Sequence, residues 1–477
     1  MKQVTHVIGL TMPNAAGHGI NFFNVAFAIA SDNIQIHALT ISSSSANQYM
    51  RSCGQPPNSN IIIEVLANGT WEHYKEHSPS KLFEFIFSTK YQNACTSKIQ
   101  EIKTRYQHDN HRVTTLIVNP LLVGVLASFA EQNHLSLFTL YPNPMYMLTL
   151  ANACKLDDDM EFGHKFYGIG GVDSEISFCG NDAPDVVSPL MMKFAEAIKF
   201  CDGAICSGTN VGIEGANWKQ PHLPKHLGSF KESYLIGPLL PQWFVKFLDE
   251  PERRVEGLNC LSQDQLGCID FMDKLPNKSC VFVSVGSHAD LSVEQAVLIA
   301  STLSDLRVPF VILKRENKEQ LVEALEKSNS LSCGYITEWA PQLQILSHPS
   351  IKLFISHAGF GSMIEGIFAG VPFITAENAA DQFLDSKILL QLGASLGSIA
   401  VNKHRRQQDR TDSHPALPDD GGKHIRTLFQ RVFASEEGQG MIKEATQRVL
   451  EWRSRILRSK EEDSIKHLEK LKQKIEK

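Results

Sequence analysis

Between Trp339 and Gln382 the sequence WAPQLQILSHPSIKLFISHAGFGSMIEGIFAGVPFITAENAADQ crowds a tryptophan, two histidines, a glycine-rich turn, a Ser-x-x-Glu pair and a closing Asp-Gln into one span. Its centre suits anion binding. His357 closes a strand-like run, Gly359, Gly361 and Ser362 follow, and a helix begins. The backbone N–H groups and positive end of such a helix suit a phosphate, and glycine permits close approach. A nucleotide diphosphate is the ligand that this stretch fits best. Single residues also have plainer readings. Ser362 with Glu365 forms a capping box, Gly370 before Pro372 is a helix stop, and Trp339 alone is a core residue. A second candidate, His18, lies far away in a Gly17-His18-Gly19 turn. A neutral imidazole has the pKa of a general base, although a lone turn histidine is ordinarily unremarkable.

Both candidates need a scaffold, and the hydrophobic pattern predicts one. HVIGL (6–10) reads as a buried strand, 21–30 as a helix and IQIHALTI (34–41) as a second strand, which implies a parallel sheet with a crossover. The cadence continues through TTLIVNP (114–120), a helix near 123–132 and LSLFTLY (135–141). Gly9, Gly17 and Gly19 do not make Gly-x-Gly-x-x-Gly, so the dinucleotide fingerprint is absent. The pattern loses regularity over 241–262, which reads as a linker. It restarts with CVFVSVGS (280–287), a helix from 292 to about 303, PFVILKR (309–315), CGYITEW (333–339), IKLFISH (351–357) and VPFITA (371–376). The expectation is an α/β protein with two facing Rossmann-like domains, 1–240 and 263–445, whose ligand lies at the carboxyl ends of the strands. A last helix, 446–477, carries Ile442, Ala445, Val449, Trp452 and Ile456 at helical spacing from just before its start. It is expected to pack back against the chain's own domains rather than on a coiled-coil partner, although the stripe falters over 460–464.

Composition excludes several classes. Among 477 residues, 43 % are hydrophobic and 21 % charged, close to globular averages. A net charge of -6 gives no electrostatic reason to bind nucleic acid. The basic run 403–406 reads as a solvated loop. Ten cysteines are scattered without Cys-x-x-Cys spacing, so neither a zinc site nor a redox pair is expected, and no cofactor is called for. No charged-then-apolar leader opens the sequence, and the longest apolar tract, 120–130, is too short to cross a bilayer. A cytoplasmic monomer is the expectation.

These residues together resemble the UDP-dependent glycosyltransferases of the plant secondary-product type, family 1, of GT-B fold. The resemblance spans nearly the whole chain and implies that the terminal helix returns to the first domain. It is strongest over 339–382 and extends to Gly17-His18, Ile236-Gly237-Pro238-Leu239 and Ser284-Val285-Gly286-Ser287. It implies that Trp339, with Ala340 beside it, stacks on uracil and that Gln342 bonds its edge. Glu365 would accept from the ribose hydroxyls, while His357, Ser362 and Ser287, with Gly359 and Gly361 in the turn, would contact the diphosphate. Asp381 and Gln382 would hold the sugar, and Gln382 resembles the glucose-using members. The residue types suit those tasks: a planar ring for a base, a carboxylate for a diol, donors for phosphate oxygens.

The family pattern is incomplete. Phe360 stands for Trp, Gly361 for Asn, and Ala376-Glu377 for Trp-Pro. His18 occupies the position of the catalytic base, but Asn119 stands where its Asp partner is usual. An amide orients an imidazole without stabilising its cation, and in serine protease triads the same exchange costs about 10⁴-fold. The reading is therefore an inverting transferase that moves glucose from UDP-glucose to a small aromatic, phenolic or flavonoid hydroxyl. A phenol, with a pKa of about 10, asks less of its base than an alcohol. A C-glycosyltransferase and a UDP-sugar-binding protein with little turnover remain alternatives. Phe22, Phe23, Tyr141, Met145, Met191 and Met192 are either an apolar acceptor pocket or core.

Overall fold

The computed structural model describes residues 3–10, 16–53, 58–66, 85–108, 110–141, 161–164, 176–179, 200–206, 232–259, 261, 266–286, 290–378, 382–400, 417 and 420–477. Two units emerge, one of residues 1–177, 185–239 and 456–477, the other of 178–184 and 240–455.

In the first unit the chain runs β1 (Val4–Leu10), α1 (Ala16–Ile29), β2 (Ile34–Thr40), α2 (Ser43–Ser52), β3 (Ile61–Val65), α3 (Thr89–Arg105), β4 (His111–Val118), α4 (Pro120–Gln132) and β5 (Ser136–Tyr141). A short ribbon of β6 (Glu161–His164) and β7 (Ile176–Cys179) stands apart from the main sheet, and β8 (Gly203–Cys206) and β9 (Ser233–Leu235) complete it. The seven strands lie parallel in the order β3-β2-β1-β4-β5-β8-β9. Strands covered on both faces are buried along their length and largely apolar, and β1 is buried from Thr5 to Leu10. Helix α1 packs through Phe22, Phe23, Val25, Ala26 and Ile29, each at most 2 % exposed. Its approach is close. A Cβ on Gly9 would lie 2.1 Å from the Phe22 ring, so only glycine fits. Phe22 and Phe23 are thus core residues rather than lining for an acceptor.

The neighbours of β1 are β2 on one side and β4 on the other, so the winding reverses between β1 and β4. At such a switch point open α/β sheets bind ligands, beyond the carboxyl ends of the strands. Leu10 lies beside Val118, and the Asn119 N–H donates to the Leu10 carbonyl at 3.2 Å. Asn119 and the start of α1 therefore flank the opening. Gly17-His18-Gly19, expected as a turn, belongs to the first turn of α1.

At the other side of this sheet a polar chain runs from strand to strand. His6 Nδ1 lies 2.9 Å from His37 Nε2, His6 Nε2 lies 2.8 Å from His111 Nδ1, and His37 Nδ1 lies 3.2 Å from Glu64. Arg105 pairs with Glu64 at 2.6 Å and Tyr106 stacks on His6 at 3.8 Å. One set of tautomers satisfies every contact. Each ring donates from Nδ1, so that His111 donates to His6, His6 to His37 and His37 to Glu64. Burial, then the neighbouring His37 and His111, pushes His6 from 6.5 down to about 4. Burial lowers His37 too, against the pull of Glu64. The unfolded chain then binds more protons between those values, so stability is full above about 6.5 and is lost as pH falls toward 4. His6 alone contributes on the order of 3 kcal/mol. Denaturant unfolding at stepped pH is expected to show this fall, and His6→Gln to flatten it. A wild-type free energy constant across the window contradicts a neutral relay.

The second unit opens with α5 (Gln242–Lys246), α6 (Arg253–Leu258) and α7 (Gly267–Met272). The stretch 241–262, expected as a linker, thus holds two helices. Trp243, Phe244 and Phe247 are buried there, and a Cβ on Gly257 would lie 2.6 Å from the Trp243 ring. Apolar side chains in a charged stretch fold it onto the unit. Then follow β10 (Cys280–Ser284), α8 (Val293–Asp305), β11 (Phe310–Leu313), α9 (Lys318–Lys327), β12 (Gly334–Thr337), α10 (Gln342–Leu346), β13 (Ile351–Ser356), α11 (Phe360–Ala369), β14 (Phe373–Thr375), α12 (Gln382–Gln391) and β15 (Ser395–Ser398). The order β12-β11-β10-β13-β14-β15, parallel throughout, puts the switch point between β10 and β13.

Helices α13 (Lys423–Phe433), α14 (Glu436–Ser459) and α15 (Ile465–Glu476) end the chain. Ile442, Ala445, Val449, Trp452 and Ile456 are all buried, as their spacing predicts. The stripe falters where the helix becomes a π-helical turn, Lys460–Ser464. Beyond it α15 buries Leu471 and Ile475 in the first unit's core, and Arg112 donates to the carbonyl oxygens of Glu476 and Lys477.

Candidate functional site

Four elements end at the carboxyl edge of the second sheet and position the predicted residues. After β12, Thr337 Oγ1 donates to the Trp339 carbonyl at 2.6 Å and accepts from its N–H at 3.3 Å. This small turn leaves Trp339 and Ala340 partly exposed rather than in the core. Gln342 is the first residue of α10. Its amide donates to Ser362 Oγ at 2.9 Å and to the Glu365 carboxylate. Residues twenty or more positions apart are thereby gathered beside the tryptophan.

After β13 the chain turns sharply. Ser356 Oγ accepts from the Ala358 N–H at 3.1 Å, and Ala358 takes a left-handed φ of 61°. Gly359 is the N-cap of α11, with no side chain capping it. A Cβ on Gly359 would lie 2.5 Å from His357 Nε2, and one on Gly286, at the end of β10, would lie 2.6 Å from it. Both glycines are needed for the imidazole to occupy the switch point. A Cβ on Gly361 would meet nothing within 4 Å, so a larger side chain fits there.

The capping box expected from Ser362 and Glu365 does not form. Helix α11 starts at Phe360, two residues earlier, so Ser362 stands inside its first turn and turns its hydroxyl to Gln342. Burial pushes the Glu365 carboxyl from 4.5 up to about 7, against a smaller opposing pull from Gln342. A carboxyl poised there, in contact with the Gln342 amide, is a group placed to receive hydrogen-bond donors.

Gln382 opens α12, and its Oε1 accepts from the Asn378 N–H at 2.8 Å. Asp381, Ser287 and the His18 side chain lie outside the described residues, as do Met145, Met191, Met192 and the Tyr141 side chain. Asn119 is 5 % exposed at the first unit's switch point. Trp339, Gln342, His357, Gly359, Ser362 and Glu365 thus share one edge of one unit.

Sequence reasoning missed Glu377. It is 6 % exposed, accepting from Thr375 Oγ1 at 2.9 Å and from Ser398 Oγ at 2.6 Å. The available signal was an acid closing an apolar strand run. Also unforeseen is the buried pair of Lys314 and Asp290, 2.8 Å apart, in which Asp290 additionally accepts from the Glu316 N–H. No helix among the described residues is long and apolar enough to cross a membrane. Among those residues no group of three or more His, Cys, Asp or Glu could hold a metal ion.

Comparison with known proteins bears on this edge. The family model "UDP-glucoronosyl and UDP-glucosyl transferase" matches residues 244–406. UDP-glycosyltransferase 84B1 of Arabidopsis thaliana is 28 % identical over 207 residues, which are 43 % of this chain and 43 % of that protein. Scopoletin glucosyltransferase of Nicotiana tabacum is 30 % identical over 225 residues, 46 % of this chain and 44 % of that protein. The chain thus matches less than half the length of these two relatives. Among solved structures, Phytolacca americana UGT2 complexed with UDP-2fluoro-glucose and pterostilbene superposes with a TM-score of 0.70 at 19 % identity, covering 99 % of this chain and 100 % of that one. A UDP-glucose: anthocyanidin 3-O-glucosyltransferase in complex with UDP gives 0.71 at 16 %, covering 100 % and 99 %. These two likenesses are of fold, and they show two parallel-sheet Rossmann-like domains of the GT-B type. The stretch that the family model matches, residues 244–406, is the one that holds Trp339, Gln342, His357 and Glu365.

Proposed function

We propose that the protein is an inverting glycosyltransferase that moves glucose from UDP-glucose to a hydroxyl of a small phenolic acceptor such as a flavonoid. The observation that carries this reading is the convergence of Gln342, Ser362 and Glu365 beside Trp339, at the edge that also holds His357. Relatives and neighbours whose names include scopoletin, anthocyanidin and pterostilbene support the acceptor class. Turnover needs no metal or organic cofactor in this reading, and the protein works as a cytoplasmic monomer.

The Trp339 ring stacks on uracil. Gln342 directs its N–H groups to Ser362 and Glu365, which leaves its amide oxygen to accept the uracil N–H. Glu365 accepts from the ribose hydroxyls. His357, Ser362, Ser287 and the N–H groups at Gly359 and Gly361 hold the diphosphate where α11 presents its positive end. Asp381 and Gln382 hold the sugar. His18 takes the acceptor's O–H proton while that oxygen attacks the anomeric carbon. The bond from that carbon to the diphosphate breaks with its electron pair going to UDP, and configuration inverts.

Asn119 fits acceptors that need little help from the base. Asn119→Asp is expected to raise transfer to an aliphatic alcohol by about tenfold or more and transfer to a matched phenol much less, because a carboxylate stabilises imidazolium. Steady-state rates with both acceptors decide it, and an equal effect on the two contradicts the assignment. The function itself is tested by a mass-spectrometric screen of UDP-sugars against mixed phenols, alcohols and amines. A phenol glucoside formed from UDP-glucose is the expected product. Donor binding without any turnover favours a UDP-sugar-binding protein, and an acid-stable linkage favours C-glycosylation, the alternatives that Asn119 brings forward.

A further inference from the structure

We infer that Glu377 is the positioning residue for the sugar contact made by Gln382. The inference rests on the reading of Gln382 as a donor-sugar ligand. Glu377 directly follows Ala376, whose N–H donates to the Ser356 carbonyl at 2.8 Å, so it sits at the ligand edge where β14 ends. Its two carboxylate oxygens have separate anchors, Thr375 Oγ1 at 2.9 Å and Ser398 Oγ at 2.6 Å at the end of β15. Both anchors are themselves oriented. Thr375, donating to Glu377, accepts from Ser386 of α12 at 2.8 Å, and Ser398 accepts from the Ala400 N–H at 3.0 Å.

This network bridges β14, β15 and α12, the helix that Gln382 opens. The residue after Glu377, Asn378, presents its N–H to Gln382 Oε1 at 2.8 Å. The Gln382 carboxamide is thereby turned with its oxygen toward the main chain, so that it meets a sugar as a donor. A buried carboxyl that ties two strand ends together needs a reason to be polar, because apolar packing would hold them as well. Fixing the register of Asn378 against Gln382 is such a reason. Uridine and diphosphate contacts come from α10, α11 and the segments that follow β10, β12 and β13, outside this network.

Calorimetric titration with UDP and with UDP-glucose separates the two parts. In Glu377→Gln and in the milder Ser398→Ala, the ratio of UDP-glucose to UDP affinity is expected to fall about fivefold, the value of one hydrogen bond, while UDP affinity holds. The same Glu377→Gln change made in a Gln382→Ala background is expected to leave the ratio unmoved, since the two residues act through one contact. An unchanged ratio in both single variants, or an undiminished effect without Gln382, overturns the inference while the functional reading stands. A wild-type protein that binds neither ligand overturns both.

Discussion

His18→Ala is expected to lower phenol glucosylation by about 10³-fold and to leave UDP affinity unchanged. General-base removal costs about 10² to 10⁴ when the base takes the proton in the transition state. Asn119 is a neutral amide and lends an imidazolium no compensating charge, which in the proposed reading goes with acidic acceptors. The check is kcat and KM for a phenol in both proteins. A variant that retains wild-type kcat removes His18 from the mechanism.

Glu365→Ala is expected to weaken UDP binding by about 10²-fold, because two hydroxyl-to-carboxylate hydrogen bonds are lost, each of about 1.5 kcal/mol or more. The pH dependence is more specific. In the free protein the carboxyl titrates at about 7, raised by burial. Ribose hydroxyls donate to the ionised form, so UDP selects it. Affinity is expected to rise with pH through about 7 and to level off above, with a proton released on binding below that point. Glu365→Gln keeps one acceptor and has no such titration, so its affinity curve is expected to be flat across the same range. Titrations at pH 6, 7 and 8 in two buffers of different ionisation enthalpy measure both quantities. Affinity that rises as pH falls contradicts the role given to this carboxylate.

The fold was legible wherever burial on both faces forced an unbroken apolar run. HVIGL lies within a strand of the structure, IQIHALTI, CVFVSVGS and IKLFISH each contain one, and the helical stripe from Ile442 to Ile456 is buried as its spacing requires. Local chemistry misled in two places. Gly17-His18-Gly19 reads as a turn because glycine favours turns, yet the packing of Phe22 and Phe23 extends α1 back over it. Ser362 and Glu365 have the spacing of a capping box, but a helix start at Phe360 frees both for Gln342, a tertiary contact that sequence spacing does not encode. The same limit hid Glu377, whose partner Ser398 meets it only once β14 and β15 are paired. At the edge of the second sheet, Trp339, Gln342, His357 and Glu365 could be named in advance because together they match the pattern of the family that the sequence resembles, although singly Trp339 reads as core and Glu365 as a cap. Their convergence had to come from the strand order.

The most direct measurement of the account is calorimetric titration of UDP into the wild-type protein, Trp339→Ala and Glu365→Ala at pH 8. The account predicts one UDP per chain in the wild type, affinity lower by about tenfold or more without the Trp339 ring, as expected for a stacked base, and lower by about 10²-fold without Glu365. No UDP binding by the folded wild-type protein, or full affinity in both variants, contradicts a nucleotide site at this edge.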